Sequence, residues 1–303
     1  MKRTLLCLIF GFLVLLAVHP AYAFSGKNIR AKAFILLSDD ESVLYEKNAS
    51  LKHSPASTVK LMTAMVALDL LDPSAVVTVS SRAEKTRSSR PRLRAGDQLT
   101  VEDLLHLALM KSTNAAAVAL AEAASGSEDD FVELMNCKAQ EIGTKDTLFK
   151  NASGLPGTGQ HTTALDLTII LKHALSYPLI REIIGKKEAV ITTTEGKQMR
   201  IGNTDALLWY RDDMVGGKTG FTNRAQHCFV GALETEKGII YTAVLGAPSR
   251  SRLWKSTQLL IDLSSDPEQL NTINFVDEAK VTKAGKYKHS GTKRSKRAKR
   301  VAT

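Results

Sequence analysis

Residues 54–70 read SPASTVKLMTAMVALDL, and this stretch indicates how the chain folds. Its apolar residues recur with the spacing of one helix face, at Val59, Met62, Val66 and Leu70. Asp72-Pro73 is typical of a helix end. We therefore predict a helix that begins at Ser57. Because residues three apart on a helix share a face, we expect the Lys60 amine close to the Ser57 hydroxyl.

The pair of Ser57 and Lys60 indicates nucleophilic catalysis. A serine hydroxyl is a weak nucleophile until a base takes its proton. An amine acts as that base only when it is neutral, and burial or a neighbouring cation favours the neutral form. The start of a helix also offers backbone N–H groups where an oxyanion would form. Ser57 as an ordinary helix N-cap is the alternative interpretation, and it is compatible with catalysis.

A second motif, Ser112-Thr113-Asn114, lies between two predicted helices. Ser112 is suited to relay a proton to a leaving amine, and Asn114 to hold a substrate amide. Taken alone, this motif is better explained by ordinary helix capping.

A third motif, Lys218-Thr219-Gly220, lies in a predicted strand that follows Val215-Gly216-Gly217. Lys218 supplies a positive charge and Thr219 a hydroxyl suited to a terminal carboxylate, while the glycines let a substrate backbone approach the strand. Each motif is weak alone, and Ser290–Lys293 also fits the first one. Three motifs in order, each in a suitable structural context, predict one catalytic site.

Strand-like stretches lie at both ends of the chain, with helices between them. The first strands are predicted at 33–38 and 42–46. Helices are predicted from Ser57, at 100–109, at 114–124, at 129–142 and from Thr162 to about 175. The last third contains predicted strands at 189–194, 198–202, 214–221, 228–234 and 239–245, then a helix at 251–263. This order predicts an α+β fold of the α/β sandwich type, with a helical lobe inserted between the strands of an antiparallel sheet.

The first 23 residues are typical of a secretory signal peptide. Lys2 and Arg3 precede an apolar run over 5–18, and Ala21-Tyr22-Ala23 fits a cleavage site. The run is shorter than the roughly 20 residues that a membrane-spanning helix needs. We therefore predict that residues 1–23 are removed on export to the periplasm or the outer face of the cytoplasmic membrane. No permanent transmembrane helix is expected.

The positive charge of the chain is concentrated near its C-terminal end. Ten Lys and Arg residues lie within 280–300, without an acidic residue. Without these ten, Lys2 and Arg3, the formal net charge of +10 falls to −2 for residues 24–279. Residues 268–303 are therefore predicted to be a disordered basic tail, which is either a solvated end or an attachment to an acidic envelope surface. Export makes nucleic acid an unsuitable partner.

Cysteine and histidine usage gives little further information. Cys137 and Cys228 remain after removal of the signal peptide, and the sequence leaves open whether they pair. No clustered His or Cys spacing indicates a metal, so no metal ligands are predicted.

With these motifs, the chain resembles the D-alanyl-D-alanine carboxypeptidase family of low-molecular-mass penicillin-binding proteins. The resemblance runs from about Ile29 to Leu263 and includes the stretches 104–121, 151–155 and 161–166. It implies a β-lactamase/DD-peptidase-like fold, in which helices flank a five-stranded antiparallel sheet and pack into an additional all-helical lobe. Residues 24–267 would form this catalytic domain.

The resemblance also implies a role for each matching residue. Ser57 would be acylated by the penultimate D-Ala of a peptidoglycan stem peptide, with Lys60 as base, and Ser112 and Lys218 would assist proton transfer. Backbone N–H groups of Ser57 and Phe221 would form the oxyanion hole, and water would release the shortened peptide. The implied substrate-binding residues are Asn114, Thr219, Gly220, Phe221 and Arg250. No metal or organic cofactor is implied, and β-lactam antibiotics would be covalent inhibitors.

Several positions depart from the family pattern. Thr113 stands where many members carry Gly or Asp, Ala115 where Asp is common, and Phe221 where some relatives have His. We expect the changes in the second motif to tune the rate, and only the backbone of Phe221 is needed for the oxyanion role. Arg250 and Arg252 are both candidates for the arginine that helps bind the substrate carboxylate. No further β domain or amphipathic anchor is expected after residue 263.

The favoured function is a serine-type carboxypeptidase that removes the terminal D-Ala from peptidoglycan stem peptides. A DD-endopeptidase that cleaves D-Ala cross-links is the main alternative, because it uses the same acyl-enzyme chemistry. A β-lactamase is disfavoured because the nearest match to its water-activating Glu-x-x-Leu-Asn loop, Glu133–Asn136, has the wrong spacing and falls in a predicted helix. An inactive wall-binding protein is disfavoured because the catalytic motif positions are intact.

Overall fold

Strands from both ends of the chain meet in one antiparallel sheet. The computed structural model describes residues 29–265. The strands are β1 (Ala33–Leu37), β2 (Val43–Lys47), β3 (Val76–Thr78), β4 (Gln98–Thr100), β5 (Glu188–Thr192), β6 (Gln198–Gly202), β7 (Met214–Thr222), β8 (Gln226–Thr235) and β9 (Gly238–Ala247). Five of them form the main sheet in the order β2-β1-β9-β8-β7. The predicted α+β fold, with a five-stranded antiparallel sheet, is therefore confirmed.

Eight α-helices accompany these strands within the described residues. They are α1 (Lys60–Leu70), α2 (Ser81–Lys85), α3 (Val101–Leu109), α4 (Asn114–Ser125), α5 (Glu128–Glu141), α6 (Ala164–Ala174), α7 (Pro178–Gly185) and α8 (Arg250–Ser265). None of the helices in this part of the chain has the length and apolar character needed to cross a bilayer. The predicted signal peptide (1–23) and basic tail (268–303) lie outside the described residues and stay predictions.

The two faces of the main sheet are both buried. Phe34 of β1 lies opposite Val244 of β9, which in turn lies opposite Phe229 of β8, and this row packs against α8. Their neighbours along the strands, among them Ile35 and Val230, point to the other face and pack against α6. Since side chains alternate between faces along a strand, the apolar runs of β1, β8 and β9 require helices on both sides.

The helical lobe is built around α1. Every residue of α1 from Lys60 to Ala67 is buried, and the helix packs against α3, α4, α5 and α6. A helix that is buried on all sides belongs to the interior of a domain. The side chains that α1 presents at its first turn are therefore held in fixed positions.

Several boundaries differ from the predictions. Strands β5 and β6 pair with each other in a separate hairpin and do not join the main sheet. Helix α7, which begins at a proline, was not predicted. Thr163, and not Thr162, caps α6 by accepting a hydrogen bond from the Asp166 N–H. Cys137 is exposed, Cys228 is buried, and neither is in a disulfide.

The start of α1 also differs from the prediction in a way that matters for Ser57. Residues Ala56–Val59 form a 3₁₀ turn, and α1 begins only at Lys60. The Ser57 side chain makes no capping hydrogen bond, so the N-cap interpretation of this residue is wrong. Its hydroxyl is free to serve another purpose.

The loop 151–155 touches the backbone of this turn. Gly154 has φ of +82°, and a Cβ built on it would lie 1.9 Å from the carbonyl oxygen of Ala56. Only glycine allows so close an approach of two backbones, and a left-handed conformation is also one that glycine adopts without penalty. Gly154 therefore fixes the loop against the turn that carries Ser57.

Gly154→Ala is expected to destabilise the protein more than Gly159→Ala. Gly159 has φ of +81°, close to that of Gly154, but a Cβ at Gly159 would meet nothing within 4 Å. Both variants should lose about 1–2 kcal/mol through the left-handed conformation. Gly154→Ala should lose about 1–3 kcal/mol more through overpacking. Urea denaturation of the two variants measures the difference, and equal losses would contradict the close approach.

Candidate active site

The three sequence motifs meet at one cleft of about 410 Å³ between the helical lobe and the edge of the main sheet. Its lining residues are Ser57, Ser89, Lys111, Ser112, Asn114, Thr204, Thr219, Gly220, Phe221, His227, Arg250, Leu253 and Trp254. Lys60 and Lys218 lie fully buried behind this surface. All nine residues predicted for the site are therefore in or directly behind one cleft.

Lys60 is placed as a base for Ser57. Its Nζ atom lies 2.9 Å from Ser57 Oγ, 2.7 Å from Asn114 Oδ1 and 2.5 Å from the carbonyl oxygen of Ser153. A neutral amine has two N–H donors and one lone pair. Because the Asn114 and Ser153 oxygens only accept hydrogen bonds, they take the two donors and leave the lone pair for the hydroxyl proton of Ser57.

The electrostatic surroundings of Lys60 favour this neutral state. Burial, and then the positive charge of Lys218, hold the pKa of the Lys60 amine well below its ordinary value of 10.5. Burial removes water that would solvate the ammonium ion, and a second cation repels it. The lowered pKa favours the neutral amine, which is the form that can accept a proton.

Lys218 joins the second motif to the third. Its Nζ atom donates to Ser112 Oγ at 3.0 Å and to the carbonyl oxygen of Thr219 at 2.9 Å. Burial lowers the pKa of Lys218 to about 7, and the negative charge of Asp205 acts in the opposite direction. The Lys218 amine can thus supply a proton to the Ser112 hydroxyl or take one from it.

Asp205 is a charged group of the site that the sequence did not reveal. Its side chain is fully buried, its Oδ1 accepts a hydrogen bond from the Leu207 N–H at 2.9 Å, and its Oδ2 has no hydrogen-bond partner. Burial raises the pKa of Asp205 to about 7, while the Leu207 N–H and the charge of Lys218 lower it. It follows a residue of the cleft, Thr204, whose hydroxyl lies 2.7 Å from that of Thr219.

Two residues beside the reactive groups have strained backbones. Ala56 and Ser112 have φ of +49° and +62°, a left-handed conformation that residues with a Cβ rarely adopt. Such conformations persist only where the surrounding structure holds them. Here they direct Ser57 and the Ser112 hydroxyl into the cleft.

Strand β7 forms the opposite wall. A Cβ built on Gly220 would lie 3.0 Å from the Ser57 nitrogen, and one on Gly217 would lie 2.5 Å from the Phe229 ring. The absence of a side chain at Gly220 lets the strand lie directly against the Ser57 turn, whereas Gly217 makes room for the Phe229 ring within the sheet. Backbone groups of β7 and the turn therefore face each other across the space where a substrate carbonyl would sit.

The outer part of the cleft is aromatic and basic. Phe221 is 53% exposed, and its ring lies 4.4 Å from that of His227. Arg250 lines the cleft, whereas Arg252 is not among the lining residues. Of the two arginines predicted as carboxylate ligands, Arg250 is therefore the better placed.

Two further contributors were missed by sequence reasoning. The carbonyl oxygen of Ser153, which binds Lys60, is a backbone atom, and no residue type is needed for that role. Ser89 lines the cleft, but it belongs to a loop that is distant in sequence from every motif. Within residues 29–265, no group of three or more His, Cys, Asp or Glu side chains is arranged to hold a metal ion.

The β-lactamase alternative also finds no support in the geometry. Glu133 and Asn136 lie within α5, as predicted, and not in a loop at the cleft. Asn136 instead pairs with the backbone of Phe149. Neither residue lines the cleft to activate a water molecule.

Comparison with known proteins agrees with this site. Residues 19–249 match the family described as D-alanyl-D-alanine carboxypeptidase. The D-alanyl-D-alanine carboxypeptidase DacF of Bacillus subtilis is 34% identical, over 82% of this chain and 67% of its own. A D-alanyl-D-alanine endopeptidase of Pseudomonas aeruginosa is 35% identical, over 72% of each chain. The crystal structure of a D-alanyl-D-alanine carboxypeptidase from Mycobacterium tuberculosis superposes with a TM-score of 0.75, at 31% identity, over 82% of this chain and 95% of that one.

Asp205→Asn is expected to lower the pKa of Lys218. The negative charge of Asp205 favours the protonated amine, and asparagine keeps the shape of the side chain without the charge. The amine should therefore lose its proton at a lower pH than in the unaltered protein. NMR of lysine side chains labelled with ¹³C at Cε measures this titration. Asp212→Asn, which removes an exposed carboxylate, is the control, and an equal shift in both variants would contradict the electrostatic effect of Asp205 on Lys218.

Proposed function

The chain belongs to the D-alanyl-D-alanine carboxypeptidase family and has the hydrolase activity of that family, and we propose that Ser57 is its nucleophile. The observation that carries this proposal is the contact of 2.9 Å between Ser57 Oγ and the buried amine of Lys60, whose lowered pKa favours the neutral form. No other serine of the cleft has a lysine amine held in this way: Ser112 is bonded to Lys218, whose charge Asp205 favours.

Acylation begins when the Ser57 hydroxyl gives its proton to Lys60. Ser57 Oγ then forms a bond to the carbonyl carbon of the penultimate D-Ala, and the electron pair of the carbonyl moves to its oxygen. The backbone N–H groups of Ser57 and Phe221 hold that oxyanion. The approach of Gly220 to the Ser57 nitrogen supports this role, because it places the two backbones on either side of one small space.

Collapse of this intermediate breaks the bond to the terminal D-Ala. The leaving nitrogen takes a proton from Ser112, which is replenished from Lys218 at 3.0 Å. Thr219 and Arg250 bind the carboxylate of the departing D-Ala, and Asn114 binds an amide of the acyl half. Water then attacks the ester carbonyl and gives its proton, through Ser112, to Lys218. The bond to Ser57 Oγ breaks, Oγ takes back the proton held by Lys60, and the shortened peptide leaves.

Cleavage of D-Ala cross-links is the second candidate for this site. The cleft opens to solvent beside the half-exposed ring of Phe221, and the amine-bearing acceptor chain of a cross-link needs only space beyond the scissile bond. The chain is 35% identical to an endopeptidase and 34% identical to a carboxypeptidase. This near-equal similarity supports endopeptidase activity as a second candidate. Defined cross-linked dimers and uncross-linked pentapeptides, compared by product mass, decide between them.

The substrate that fits this chemistry is peptidoglycan, outside the cytoplasm. The apolar N-terminal run and the cleavage signal at 21–23 support export. A β-lactam carbonyl would be attacked by the same hydroxyl, so penicillins are expected to acylate Ser57. Residues 24–267 would form the catalytic domain, and the basic run within 268–303 would contact an acidic envelope surface.

Ser57→Ala is expected to abolish both penicillin labelling and D-Ala release, because no nucleophile remains at the amine. A fluorescent penicillin and gel electrophoresis measure the labelling, and product mass analysis measures the release. Ser176→Ala, at the exposed end of α6, is the control that should retain both. Persistent labelling of Ser57→Ala would disprove the assignment of the nucleophile.

Lys60→Arg is expected to lower the acylation rate by about 10²–10⁴-fold, because it replaces an amine that can be neutral with a permanent cation. Arginine cannot become neutral in a protein and therefore cannot take the hydroxyl proton. The rate of penicillin labelling measures this loss, with circular dichroism as a check that the variant folds. A folded variant that labels at the normal rate would show that Lys60 is not the base.

A further inference from the structure

A cationic segment, residues 85–94, lies beside the catalytic cleft. Its five cations are all exposed: Lys85, Arg87, Arg90, Arg92 and Arg94. All of them except Arg90 line one surface depression, in which Glu84 is the one carboxylate. Such a density of like charge on one loop destabilises a folded chain unless an anion offsets it.

Arg82, which precedes the segment, forms ion pairs, whereas the five cations of the segment form none within residues 29–265. Arg82 contacts Glu128 at 2.9 Å and lies 4.0 Å from Glu122. Among the residues that the structure describes, no carboxylate lies within 4.0 Å of the ammonium or guanidinium groups of the segment; the Asp97 carboxylate accepts a hydrogen bond from the Arg94 backbone N–H at 2.7 Å. The fold thus neutralises the charge just before the segment and leaves the segment available to a ligand.

The segment is attached to the catalytic machinery through Asn114. Asn114 Nδ2 donates to the carbonyl oxygen of Arg87 at 2.6 Å, and the Asn114 N–H donates to Ser88 Oγ at 2.9 Å. Ser89 lines the catalytic cleft itself. The cations are therefore held at a fixed place relative to the Lys60 amine, which Asn114 Oδ1 contacts at 2.7 Å.

A separate depression of about 480 Å³ lies behind this wall. It is lined by Glu84, Lys85, Arg87, Arg92, Arg94 and Ala115, together with Thr86, Ser88 and Leu93. Ala115 follows Asn114 directly in α4, so the depression and the cleft lie on two sides of the same short wall. A chain that leaves the cleft past Asn114 reaches four cations at once.

We propose that the cationic segment binds carboxylates in the acyl half of the substrate, upstream of its D-Ala-D-Ala end. This rests on the proposed function, in which the departing D-Ala faces Thr219 and Arg250. Asn114, which binds an amide of the acyl half in that proposal, lines the cleft together with Ser89 and contacts the segment, so we infer that the acyl half leaves the cleft along these residues. The ligand is an acidic peptide, and the segment selects it over a neutral peptide of the same length.

Exposed ion pairs are individually weak and are screened by salt. We therefore expect the cationic segment to speed the association of an anionic substrate and to lower its KM at low ionic strength. It should change kcat little. Two lost cations should change kcat/KM by about threefold to tenfold. A structural role of the segment would not produce this dependence on substrate charge.

Two synthetic pentapeptides that end in D-Ala-D-Ala test the proposal. They differ only in one upstream residue, which is glutamate in one and glutamine in the other. The double variant Arg92→Gln/Arg94→Gln is compared with the unaltered protein and with the control Lys145→Gln/Lys237→Gln, which removes two exposed cations that line neither the cleft nor the depression. D-Ala release is measured at low and at high salt.

The unaltered protein and the control should prefer the glutamate peptide by about threefold to tenfold at low salt. The ratio of glutamate-peptide cleavage to glutamine-peptide cleavage should fall towards one in the double variant and at high salt. Equal cleavage of the two peptides by the unaltered protein would overturn the proposal and leave the proposed function intact. Failure to cleave either peptide or to react with penicillin would instead refute the proposed function.

A phosphate-rich polymer is the other anion that this segment could meet. Inorganic polyphosphate serves as the probe, with binding followed by fluorescence anisotropy for the unaltered protein and the double variant. Binding that is lost in the double variant, together with equal cleavage of the two peptides, would assign the segment to a polymer and overturn the proposal. A preference for the glutamate peptide that the double variant loses supports it.

Discussion

The site depends on one lysine amine that is kept away from water. A charged ammonium at the position of Lys60 would lose hydration worth several kcal/mol, so burial itself favours the neutral amine that the proposed base requires. The loss of water is tolerable only because the Ser153 carbonyl and Asn114 Oδ1 take its N–H groups. Three separate parts of the chain must therefore hold fixed positions: α1, the loop 151–155 and the start of α4. The contact between Gly154 and Ala56 and the left-handed backbone of Ala56 serve that requirement.

The need to hold several parts of the chain in fixed positions also explains why the site lies at the edge of the main sheet. An edge strand has backbone groups on its outer side without a strand partner, which is normally a liability. Strand β7 is that edge, and the Ser57 turn of the helical lobe faces it. Gly220 leaves room for a substrate backbone between the two, and the charge of Lys218 reaches both Ser112 and the pKa of Lys60 from this strand. The edge thus gains a partner only when a peptide enters, which makes binding of an extended chain a natural use of this fold.

Sequence reasoning reached those parts of the site that local spacing controls. The contact of Ser57 with Lys60 follows from three residues on one turn, and it holds although the turn is 3₁₀ and not α-helical. The meeting of Lys218 with Ser112 was available only from the order of three motifs, because 106 residues separate them. Asp205 could not be found, since a short polar residue in a loop carries no sign that packing will bury it completely. The pairing of β5 with β6 was missed for a related reason: an alternating pattern predicts a strand but does not say which strand it joins.

Asn114 is the residue through which substrate recognition and base chemistry meet. Its Oδ1 faces Lys60, while its Nδ2 and its N–H hold the cationic segment. Five cations near a buried amine would be expected to favour its neutral form further, as Lys218 does. However, exposed charges are surrounded by water and counterions, which weaken their field within about 10 Å, and only the buried cation Lys218 acts on the pKa of Lys60. The cationic segment can therefore attract an anionic substrate without changing the pKa of Lys60. The five cations of the segment are solvated and Lys218 is buried, so the two act independently.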